Sequence, residues 1–144
     1  MKKRVFVLLC LLTALYGGFS ARAYAGNSAY AFDYVYIQPF WTHITLISAG
    51  LRIDNGRATM TGMVQGRSGT ERISVNAVLE RVNANGTTSQ VGSWSNIQAT
   101  GAIWVWDRQH NVTRGYDYRL TLTATVFRNG ASETVSESRT ARAN

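Results

Sequence analysis

The feature that most constrains this chain is apolar alternation with a period of two, broken at intervals by dipeptides that favour tight turns. Ala58, Met60, Gly62 and Val64 alternate with polar neighbours, as do Ile73, Val75, Ala77 and Leu79, and then Leu120, Leu122, Ala124 and Val126. Successive side chains of a strand point to opposite faces, so such segments read as half-buried strands. Tyr30, Phe32, Tyr34 and Tyr36 continue the pattern upstream, Ile44-Leu46 and Leu51-Ile53 add further positions, and Ile103 to Trp106 another. No stretch shows a helical period of 3.6. Asn55-Gly56, Asn85-Gly86 and Asn129-Gly130 tolerate positive φ and mark tight hairpins. The spacing predicts an all-β fold, an antiparallel immunoglobulin-like β-sandwich of about seven strands.

The last hairpin can be read residue by residue. A two-residue Asn129-Gly130 turn pairs Arg128 with Ala131, and stepping outward Thr125 with Thr134, Thr123 with Ser136 and Thr121 with Ser138. Hydroxyls then tile one face, with Leu120, Leu122, Ala124 and Val126 on the other. Glu133, Val135 and Glu137 fall on the core side, and inward glutamates suggest a sheet edge guarded against edge-to-edge association. Tyr116 or Tyr118 is placed to form a tyrosine corner, its hydroxyl tying back to residues 111–114.

Ahead of the strands, Met1-Lys2-Lys3-Arg4, an apolar run from Val5 to Tyr16, and Ala21-Arg22-Ala23 or Ala23-Tyr24-Ala25 have the order of a cleavable export signal. The apolar run falls short of the ~20 residues of a membrane span. Residues 1–25 are thus expected to be a signal peptide and 26–144 a single extracellular domain, with no transmembrane segment in the mature chain. Cys10, the only cysteine, lies inside the apolar run rather than after it, which argues against lipoprotein processing, and it leaves with the signal. Loss of Lys2, Lys3, Arg4 and Arg22 lowers the formal charge from +7 to +3. The remaining arginines are scattered singly, unlike a nucleic-acid-binding patch.

Catalytic chemistry finds little footing. Beyond the signal there is no cysteine nucleophile, and His43 and His110 are the only side chains that titrate ordinarily near neutrality. Asp107 and His110 could form an acid/base pair near a turn, but a solvated turn histidine is the plainer reading, and His43 is read as facing solvent on a strand. No zinc spacing or calcium loop is evident, Asp54-Asn55-Gly56 being sufficient as a turn. No catalytic residue, metal or cofactor is expected.

Aromatic residues are the candidate binding groups. Trp104 and Trp106 share one face of a strand, with Ile103 and Val105 on the other, and Trp41 and Trp94 could lie nearby. Exposed, they would form a platform for the apolar faces of sugar rings, making a cell-wall or extracellular glycan the partner. The competing reading is that they are core, since sandwiches commonly bury a tryptophan. A second function class is a self-associating structural subunit, in which residues 30–37 add as a strand to a neighbouring molecule's sheet.

Several short motifs also occur together: Tyr34-Val35-Tyr36-Ile37, Leu51-Arg52-Ile53 leading to Gly56-Arg57-Ala58, Val78-Leu79-Glu80-Arg81, Gly92-Ser93-Trp94, Gly115-Tyr116-Asp117-Tyr118-Arg119 and a late Glu133. In this the chain resembles a family of small secreted proteins from Gram-positive (Firmicutes) bacteria whose common domain is one of unknown function. The resemblance implies a β-sandwich and export, and brings no site residues with it. Intact-mass analysis of exported protein should find an N-terminus at Tyr24 or Gly26, and a product retaining Met1 would refute the signal.

Overall fold

Alternation becomes architecture in a computed structural model that describes residues 41–144. Seven antiparallel strands follow in order: β1 (Ile44–Asp54), β2 (Arg57–Gly66), β3 (Thr70–Val82), β4 (Thr88–Thr100), β5 (Ile103–Asn111), β6 (Asp117–Arg128) and β7 (Ala131–Arg142). They form a three-stranded sheet, β1-β2-β5, and a four-stranded sheet, β4-β3-β6-β7. A constant-type immunoglobulin domain would place the fourth strand with the first, second and fifth. Here β4 pairs with β3 instead. The expected signal peptide, Cys10 and the Tyr30–Ile37 segment lie outside the described residues.

The core is the sum of the alternating faces. Ala58, Met60 and Val64 of β2, Ile73, Val75, Ala77 and Leu79 of β3, and Leu120, Leu122, Ala124 and Val126 of β6 are all fully buried. These are central strands, flanked on both sides, so their inward faces meet across the gap between the sheets. Gly62 shows how closely they meet. A Cβ there would come within 2.8 Å of both Leu122 Cδ1 and Trp104 Cζ3. The missing side chain makes room for an indole.

Two of the three Asn-Gly turns are the tight kind. Asn55 and Gly56 have φ of 49° and 75°, and Asn129 and Gly130 have 52° and 74°, the paired positive values that match strand twist in a two-residue hairpin. Asn85-Gly86 is different: only Gly86 is left-handed, and the connection is longer, closed by Asn83 N–H to the Thr87 carbonyl at 2.8 Å. Asn85 Oδ1 accepts from the Thr87 N–H at 3.1 Å, a side-chain turn that needs no positive φ at Asn85.

The β6–β7 register has Arg128 opposite Ala131, Thr125 opposite Thr134, Thr123 opposite Ser136 and Thr121 opposite Ser138. The last three pairs are hydrogen-bonded through their hydroxyls at 2.9, 2.9 and 3.1 Å. Such pairs reinforce the ladder while keeping the outer face polar.

Two departures have physical causes. Ile44-Leu46 and Leu51-Ile53 belong to one strand, β1, because Gly50 passes directly beside Thr61 of β2 and the chain continues extended through it. Strand β4 lacks apolar alternation: of its large or apolar side chains only Trp94, Ile97 and Ala99 are half-buried, and its pairing with β3 is displaced twice, near Asn96 (φ 56°) and near Val91. A bulge reverses the facing of every residue beyond it, which hides the period-two signal.

Leu122→Ala should cost about 2–5 kcal/mol in denaturant unfolding. Thr123→Ala, on the opposite face, should cost under about 1 kcal/mol. Gly62→Ala should destabilise by about 1–3 kcal/mol through overpacking. A reversed order for Leu122 and Thr123 would show that the β6 faces are misassigned.

Candidate functional site

Strand β5 edges the three-stranded sheet and β4 edges the four-stranded one, and the two edges lie on the same side of the sandwich. Even-numbered residues of β5 face the core, so Trp104 and Trp106 point inward and are 2% and 8% exposed. Their rings stack at 6.2 Å with 20° between planes. From β4, Trp94 tilts against Trp106 at 5.6 Å, and His110 meets Trp94 edge-on at 5.8 Å. Gly92 accommodates that indole, since a Cβ there would lie 2.6 Å from Trp94 Cη2. The cluster seals the gap between the two sheet edges.

This corrects the sugar-platform reading of Trp104 and Trp106. A stacking platform must present a ring face to solvent, and both indoles are buried. Trp94 is half-buried in the seal. Trp41 packs against the core from the segment before β1, and its carbonyl accepts from Arg67 Nη2 at 3.1 Å. Of the four candidates, Trp94, Trp104 and Trp106 are brought together, with His110 as an unforeseen fourth ring.

Asp107 and His110 do not form a pair. Both lie on β5 rather than near a turn, and three residues of strand put their side chains on opposite faces. His43 is not a solvent-facing strand residue either. It sits in a bend before β1, half-buried, with Nδ1 lacking a hydrogen-bond partner. Tyr118 makes the tyrosine corner: its hydroxyl donates to the Thr113 carbonyl and accepts from the Thr113 N–H, each at 3.0 Å. Tyr116 is exposed, with the Arg81 guanidinium 4.7 Å above its ring. Among the described residues no three His, Cys, Asp or Glu side chains converge as metal ligands.

The opposite side of the sandwich, where β1 meets β7, is closed by charge. Glu133 accepts the N–H of Thr42 at 2.9 Å through Oε1, and those of His43 and Ile44 at 2.7 and 3.2 Å through Oε2. One β7 carboxylate thus ties down the backbone that enters β1. Burial acts to raise the Glu133 pKa. The three N–H donors, aided by His43, overcome it and hold the carboxyl below its ordinary value. Inward glutamate was legible as an edge device, but its partner was not, because the bonded atoms are backbone and carry no sequence signature. The exposure of Ile103 and Val105, at 60% and 67%, was also overlooked. It follows once Trp104 and Trp106 are assigned to the core.

No family model and no curated protein matches the chain. Among solved structures it is similar to Spo0M, the sporulation control protein from Bacillus subtilis, at 10% identity and a TM-score of 0.42, over 68% of this chain and 49% of that one. It is also similar to R. palustris CsgH, at 16% identity and a TM-score of 0.32, over 61% of this chain and 85% of that one. The chain spans about half the length of Spo0M. Likeness at this level says nothing of activity or partners.

Because the folded-state pKa of Glu133 is lowered, its stabilisation is full above the ordinary value of about 4.3 and is lost as pH falls through the folded value. Glu133→Gln should therefore lower the melting temperature at pH 7 and narrow its gap to the wild type as pH drops below about 4. An unchanged gap across that window would remove Glu133 from the acid response.

Proposed function

We propose that the chain is an exported, non-enzymatic β-sandwich of immunoglobulin-like type, akin to the secreted Gram-positive proteins it resembles, and that it serves as a self-associating extracellular structural subunit. The observation that carries this reading is the burial of Trp104 and Trp106. It removes the groups on which glycan recognition rested. Beside the seal the described residues present strand edges.

Charge is distributed in keeping with this. Between Arg81 and Asp107 no residue is charged, although the chain carries 15 basic and 8 acidic residues. That stretch contains all of β4 and the first half of β5. Strand edges without charge are the ones that accept further strands. The aromatic segment Tyr30–Ile37, with its alternating sequence, is suited to be such a strand, adding to the sheet of a neighbouring molecule through backbone hydrogen bonds.

Sedimentation of the mature protein should show mass rising with concentration, and Tyr34→Pro with Tyr36→Pro should diminish it by removing donors from the added strand. Glycan arrays and wall-polysaccharide pulldowns should show no binding that Trp94→Ala abolishes in a folded protein. Such binding, with a strictly monomeric wild type, would overturn the proposal in favour of a glycan module.

A further inference from the structure

The four sheet edges are unequal. Strand β7 carries the inward Glu133 and Glu137, β4 is displaced twice against β3, and the β1 pairing slips between Ile44 and Leu46. Inward charges and bulges are the devices by which edges are kept from joining. Strand β5 has no bulge, and its first half carries no charge. It pairs with β2 in unbroken register from Ile103 to Asn111, and its charged residues, Asp107 and Arg108, lie in its second half.

Backbone direction decides which groups of β5 are free. The Ala102 carbonyl accepts from the Gly66 N–H and the Val112 N–H donates to the Gly56 carbonyl, each at 2.8 Å. Even-numbered residues therefore turn their backbone groups toward β2. Ile103 and Val105 turn theirs away from β2, toward an edge that is open among the described residues, and their side chains share the outer face. Val105 stands opposite the half-buried Met63 of β2, extending the apolar strip inward from the edge.

We propose that the first half of β5 pairs antiparallel with the same strand of a second copy, about a twofold axis at Trp104. Ile103 of each copy then faces Val105 of the other. Both are hydrogen-bonded pairs, giving about four backbone bonds across the axis, and the two three-stranded sheets become one of six strands. The sequence opposes moving the axis toward the charged half of β5. Moving the axis to Val105 sets Ile103 against Asp107, and moving it to Trp106 sets Val105 against Asp107, each burying a carboxylate against an apolar side chain. Centred at Trp104, Asp107 falls opposite Gly101 and stays at the rim. An isologous contact of this kind closes on itself as a dimer. It is small, below about 1,200 Å², and so weak by itself. The pairing deepens the self-association reading and does not involve residues 30–37.

The test is sedimentation velocity of the mature protein from about 1 µM to about 1 mM, with tryptophan emission confirming that each variant keeps the indole cluster. Val105→Lys should raise the dimer dissociation constant by about tenfold or more. Val105→Pro should do the same, because it deletes an N–H that faces the open edge and none that β2 uses. Gln109→Lys, on the same edge but beyond the paired stretch, should leave it unchanged. Mixing Ile103→Cys protein with Val105→Cys protein should give a disulfide-linked heterodimer in preference to either homodimer, because opposed Cα atoms about 5.5 Å apart permit the bridge. Association of folded Val105→Lys equal to the wild type refutes the β5 pairing, even if Tyr34→Pro with Tyr36→Pro abolishes association and sustains the broader reading. Loss with Val105→Lys but not with those prolines sustains the β5 pairing and refutes the donor-strand route. A wild type that is monomeric throughout refutes both.

Discussion

The structure depends on one interlock, the Trp104 indole lying over Gly62 and against Leu122. The residues from Gly26 onward contain no cysteine, so in that stretch the two sheets are joined by packing and by the few polar ties that cross between them. A glycine on a central strand is ordinarily a weakness, since it buries no side chain and loses more conformational entropy on folding. Here the hole it leaves is filled from the edge strand by the largest side chain available. A peripheral strand is thereby anchored in the middle of the core, and from that anchor Trp106, Trp94 and His110 extend the contact to the opposite sheet.

The two open sides of the sandwich are closed by different chemistry, with different responses to conditions. At β4 and β5 the closure is aromatic, built from Trp94, Trp104 and Trp106 with the His110 ring edge-on to Trp94. At β1 and β7 it is a single carboxylate gathering three backbone donors. Those N–H groups precede or begin β1, where a strand has no ladder partner for them, so Glu133 supplies the acceptor that the sheet cannot. An acidic medium weakens this tie as the carboxylate is protonated.

Most of the fold was legible because central strands state their facing twice, by apolar alternation and by the turn residues that fix register. The β6–β7 hairpin was readable pair by pair for this reason, and Tyr118 because a corner needs only a tyrosine and a loop of the right length. Edge strands were less legible. Strand β4 has polar residues on both faces and two bulges, so neither period nor composition marks it. The tryptophans of β5 allowed two facings, and alternation alone could not say which face met the core. The deciding residue was Gly62, on another strand, where absence of a side chain creates the demand for a large one. That signal is visible only when the β2–β5 register sets Gly62 beside Trp106 and two pairs from Trp104, on the same face.

Burial of the indoles also determines what the surface can recognise. In a strand, whatever is gained on one face is set on the other, so committing Trp104 and Trp106 to the core obliges Ile103 and Val105 to face solvent. Polar residues at those two positions would leave the core intact, whereas the apolar pair keeps a dry strip beside unpaired backbone groups. Such a combination is what the proposed strand pairing would use. The charge-free run from Val82 to Trp106 works in the same direction, because it places no carboxylate or guanidinium where an incoming strand would have to desolvate it. In the proposed pairing, recognition at this edge is governed by register and by what is excluded from it, and the charged second half of β5 limits how far the pairing would extend.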